Sequence, residues 1–284
     1  MLRQIFSAVA LAAFIAALSS CGRNEQCDAT PHAHCDAAPS GTSGNTLYTG
    51  TTWGNEEQRA TVRTWIQRLM NETRIVPGSY GKPDSPRGSP GQFEKLPGPV
   101  VEEYISALLY AGEMFMPKSL KWDERTVLLA SEVSIESAFV TNTAGANPGN
   151  MAMTSVGPLQ WTKEIWTPIF KKQAQIPGLT HYDGSVWNPA DTTDEMVINS
   201  VWDNIVASAY VITQQGRQGA PDELHGQDGP MPKQFFTGCL CWVLGCGAAK
   251  TGGDLAEQRQ PYRHAMATDL KMLGYPESLL DTNF

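Results

Sequence analysis

The sequence predicts a mainly α fold, six or seven helices around one core. Three observations carry that prediction. Apolar residues recur at helical spacing in successive stretches between residues 55 and 284. Capping residues and prolines fall at the ends of those stretches. Segments rich in glycine and proline, at 75–99 and 216–232, separate them.

Residues 1–20 begin with a short basic start, Met1-Leu2-Arg3-Gln4, and continue as an apolar run too short for a comfortable membrane span. The run ends at Leu18-Ser19-Ser20-Cys21, which resembles the lipobox of bacterial lipoprotein signals. That resemblance implies that Cys21 becomes the lipidated first residue and anchors the chain to a membrane. Gly22 after it, in place of an aspartate, implies the outer membrane, facing the periplasm. The net charge is −8, and removing residues 1–20, whose one charged side chain is Arg3, leaves −9. So acidic a chain argues against nucleic acid and against a polybasic membrane patch.

Residues 21–54 show little periodicity and read as a flexible tether; residues 55–284 read as the folded domain. Cys27, His32, His34 and Cys35 lie in the tether. A disulfide between Cys27 and Cys35 is a simpler reading than a metal site, because the second ligand pair of a zinc hairpin is missing. Cys239, Cys241 and Cys246 leave room for one pair and an odd thiol. No metal and no cofactor is expected.

In the domain, Asn55 caps a helix to about Asn71 that buries Val62, Trp65, Ile66, Leu69 and Met70. Pro99 starts a second, from Val100 to about Met116, which Pro117 ends. The third begins at Asp123 and carries Val127, Leu128, Ile135 and Phe139 toward the core. Glu132 and Glu136 lie four apart on it and share a face, where like charges repel mildly. Glu136 stands near its end among apolar neighbours, a setting that raises a carboxyl pKa toward that of a general acid. Taken alone, Glu136 reads more readily as a solvated helix glutamate, as most helix glutamates are. A polar loop follows, then Gly157-Pro158-Leu159-Gln160-Trp161 and a helix through Ile165, Trp166 and Phe170. The loop 181–189 mixes Tyr182 and Trp187 with His181 and Asp183, a composition suited to packing on sugar rings or to pinning an ordinary loop. Long helices are expected over 191–215 and 261–273.

Glu136-Ser137-Ala138-Phe139 followed by Ser155-Val156-Gly157-Pro158-Leu159-Gln160 resembles the catalytic core of the soluble lytic transglycosylases, in the lysozyme-like superfamily. Asp203-Asn204-Ile205 through Tyr210 is similar to a further helix of that family. The resemblance spans 123–247. It implies a lysozyme-like helical domain with a small β element near 141–156, acting on peptidoglycan glycan strands. It also implies that Glu136 protonates the leaving oxygen of the MurNAc–GlcNAc bond and then deprotonates the sugar's 6-hydroxyl, closing a 1,6-anhydro ring. Ser137, Gly157, Gln160, Tyr182, Trp187 and Trp242 are the candidate substrate contacts. The family's Tyr-Asn motif, whose tyrosine lies beside the acid, has no counterpart in 235–247, where Trp242-Val243 stands nearest. Two other classes remain: a lysozyme- or chitosanase-type hydrolase using Asp183, Asp191 or Asp194 as second acid, and a non-catalytic wall-binding or envelope-assembly lipoprotein.

Overall fold

The computed structural model describes residues 50–77, 83–139, 155–219, 233–244 and 254–284. Cys21, Cys27, Cys35, Cys246 and most of 141–156 lie outside the described residues. Eight α-helices and two small antiparallel sheets are described: α1 Glu56–Asn71, α2 Gly98–Phe115, α3 Trp122–Ser137, α4 Lys163–Lys171, α5 Asp194–Asn199, α6 Val201–Gln218, α7 Phe235–Leu244 and α8 Asp254–Leu273. Strands β1 Arg74–Val76 and β2 Ser85–Arg87 pair with each other, as do β3 Ser155–Val156 and β4 Trp161–Thr162.

The α1 start is as expected: Asn55 accepts from Gln58 N at 2.9 Å while Gln58 Oε1 accepts from Asn55 N at 3.0 Å. Helix α2 is apolar nearly all round, with Tyr104, Ile105, Ala107 and Leu108 fully buried. Such a helix belongs inside a bundle. It packs on α6, α3 and α1, while α6 covers α2 on one side and α7 on the other. One hydrophobic core runs through all of these helices. No helix among the described residues is long and apolar enough to cross a membrane.

Four expectations need correcting. Helix α3 starts at Trp122, with the Lys121 N–H donating to the Glu124 carboxylate at 2.8 Å. Asp123 is therefore inside the helix and accepts from the Tyr275 hydroxyl. The stretch 75–99 carries the β1–β2 hairpin and a 3₁₀ turn at Phe93–Lys95. The single helix expected over 191–215 is two, because Ser200 adopts extended φ/ψ of −120°/126° and its side chain caps α6 at Asp203 N. Finally, α8 begins at Asp254 and runs through Pro261, at which the sequence suggested a start.

Candidate active site

Helix α3 delivers Glu136 to its last turn, and that turn is pinned from three sides. Ala138 and Phe139 both adopt left-handed backbone, φ 52° and 63°, and the Ala138 N–H closes on Ser134 O. Phe139 is fully buried edge-on against Tyr104. Arg87, on β2, donates to the carbonyls of Ser134 and Ile135 at the C-terminal end of the helix.

Glu136 is half-buried, and Glu132, one turn earlier, is wholly buried. The Tyr262 hydroxyl, from α8, stands between them, 2.7 Å from Glu132 Oε1 and 2.8 Å from Glu136 Oε1. A phenol has one hydrogen, so it can donate to only one carboxyl at a time. The second short contact requires a proton on a carboxyl. Electrostatics agree. Burial raises Glu132, and the charge of Glu136 raises it further. Burial raises Glu136 too, against the opposing pull of the Tyr262 hydrogen bond and the Arg87 charge. Cys239 of α7, a free buried thiol beside Glu132, is pushed well up by burial and so stays neutral. Cys241, two residues on, is disulfide-bonded.

No protein-family model, no curated protein and no solved structure matches the chain.

The other expected site residues divide by burial. Ser137 is buried and turns its hydroxyl back onto Val133 O. Gly157 and Gln160 bound the turn between β3 and β4, at φ 78° and 51°, and the Gln160 amide donates to Gly157 O. Asn204 of α6 fixes this turn by accepting from Leu159 N at 2.9 Å and donating to Val156 O and Val197 O. The α6 segment singled out in the sequence thus holds the turn, and its main packing is on α2 and α7. Trp242 is buried, stacks on Trp166 at 4.5 Å and donates to Leu159 O. Trp187 is wholly buried and donates to Thr192. Neither indole offers a face to a sugar, a correction to their reading as contacts.

Tyr182 is half-buried against Trp202, 5.5 Å between ring centres. It belongs to a concavity of about 430 Å³ that also takes in Glu103, His181, Asp183 and Asp203 and does not include Glu136. There His181 stacks on Trp187 and its Nδ1 lies 3.1 Å from both Asp203 oxygens, which raises its pKa. Among the described residues, no group of three or more His, Cys, Asp or Glu side chains is set to hold a metal ion.

Glu132 and Tyr262 were not chosen from the sequence as site residues. Glu132 had a visible signal, its spacing of four from Glu136. Tyr262 had none, being 126 residues away with no motif around it.

Proposed function

We propose that the chain is a peptidoglycan lytic transglycosylase that cleaves the MurNAc–GlcNAc bond with Glu136 as acid and then base. The observation that carries this reading is the Tyr262 hydroxyl on the Glu136 carboxyl, at 2.8 Å. The enzymes whose motifs this sequence resembles place a tyrosine beside their acid, and here α8 supplies one. Burial raises the proton affinity of Glu136 toward neutral pH, as an acid for a glycosidic oxygen requires. The proton passes from Glu136 to the leaving oxygen as the C1–O bond breaks. The carboxylate then takes the proton of the sugar's 6-hydroxyl as its oxygen bonds to C1, and Glu136 is protonated again.

The order of Glu-Ser-Ala-Phe, Gly-Pro-Leu-Gln and the Asn204 helix supports a lysozyme-like fold. The lipobox at Cys21 supports anchoring in the outer membrane, in reach of the wall. A retaining hydrolase would use a second carboxyl about 5 Å away and open to the sugar. Glu132, the carboxyl that shares the Tyr262 hydroxyl with Glu136, is sealed in the core. Asp183, Asp191 and Asp194 sit on the 181–191 segment and on α5, where Asp194 accepts from Thr167.

The test is muropeptide release from purified sacculi by the form starting after Cys21. Anhydro products are expected by mass spectrometry, reduced about 10²- to 10⁴-fold by Glu136→Gln. Reducing-end products would make the chain a hydrolase. Sacculus binding without release would make it a wall-binding lipoprotein.

A further inference from the structure

We propose that Glu132 is the proton partner of Glu136, the two carboxyls holding one proton between them across the Tyr262 hydroxyl. This rests on the reading of Glu136 as acid and base. It gives a role to a carboxyl that is out of reach of any substrate, which makes Glu132 a positioning residue.

The geometry allows two arrangements. In one, Glu132 carries the proton and donates to the Tyr262 oxygen, while the phenol donates to the Glu136 carboxylate. In the other, Glu136 carries the proton, and the phenol donates to Glu132. They interconvert when the Glu132 O–H breaks and a Tyr262 O–H forms, as the former Tyr262 O–H breaks and a Glu136 O–H forms. One proton moves from carboxyl to carboxyl, the net charge stays at −1, and no other reactant takes part. Both oxygen–oxygen distances, 2.7 and 2.8 Å, are those of O–H···O bonds.

The surroundings bias the arrangement without breaking it. Facing the cluster from β2 is Arg87, whose charge favours ionised Glu136. From α7 comes the neutral Cys239 thiol, beside Glu132. From α8 comes Tyr262, and further along α8 Asp269 is closed into a pair with Arg74 of β1, which also reaches Ser134. Glu132 therefore meets no cation among the described residues, and Glu136 meets Arg87. Glu132 keeps the proton at rest, and Glu136 receives it through the phenol when a leaving oxygen is in place. Once Glu136 has taken the 6-hydroxyl proton, the chain of hydrogen bonds returns to its resting direction.

The test is a ¹³C titration of the glutamate carboxyls in the wild type, Glu132→Gln and Glu136→Gln, the variants supplying the assignments. In the wild type both resonances should move in the same two steps, since sites that share a proton titrate as a pair. In Glu132→Gln, Glu136 should move in one step. The high-pH limb of kcat on sacculi should fall by about one pH unit, a tenfold change in proton affinity, with KM unchanged. Tyr262→Phe, which keeps both carboxyls, should separate the two titrations. Separate single-step curves in the wild type would overturn the proposal, even if Glu132→Gln does not fold. An unshifted limb in a folded Glu132→Gln would also overturn it. A protein with no activity but with paired titrations would overturn the enzyme reading and leave the shared proton standing.

Discussion

Gly157 has φ 78°, and a Cβ built on it would stand 2.3 Å from Asn204 Nδ2. An L side chain would be strained there and would also displace the amide that orders the turn. Gly157→Ala should cost about 1–3 kcal/mol, read from urea denaturation. The same turn shows what could be read from the residues and what could not. Glu136 drew attention because a short motif and a helix end coincide on it, and the structure sets its carboxyl against Tyr262. Trp187 and Trp242 were misleading, since aromatic composition looks alike in a sugar groove and in a core. Only the packing partners, Phe170 for one and Trp166 for the other, separate the two cases. Glu132 was visible by its spacing, but nothing local shows that Tyr262 of α8 and Cys239 of α7 close over it.

Among the elements, β1 is tied to α8 by the buried pair of Arg74 and Asp269, with Arg74 also donating to Leu69 O and Ser134 Oγ. Burial raises the Asp269 pKa and the guanidinium opposes that rise. Arg74→Met should lose about 3–5 kcal/mol at pH 7, because it leaves a carboxylate buried without its cation. The loss should shrink at pH 5, where Asp269 takes up a proton more readily; chemical denaturation at the two pH values checks this. Helix existence was legible for α1, α2 and α6, whose apolar spacing follows from burial, and not for α7. The break at Ser200 was not. Its serine is one polar residue among several, and only its extended backbone turns it into a cap. The hairpin of β1 and β2 was hidden in the same way, by prolines that read as loop.

At the scale of the whole molecule, the raised carboxyls set how stability depends on pH. Glu132 and Glu136 keep protons in the folded state that the unfolded chain releases at the ordinary carboxylate pKa. Their contribution to stability is therefore greatest below that value and falls as pH climbs toward the raised folded values. Tm should be lower at pH 8 than at pH 5, and Glu132→Gln should reduce the difference; calorimetry at both pH values decides it. The mainly helical architecture was legible from periodicity, whereas the way α8 closes over α3 was not, because contacts between distant segments leave no local pattern. That closure bears on how the protein is made. Glu132 and Glu136 lie near the middle of the chain, and the hydroxyl that sits between them belongs to the last described α-helix. A growing chain would hold two neighbouring acids with nothing to reconcile them until α8 docks, so the hydrogen bonds that join them arrive with the end of folding.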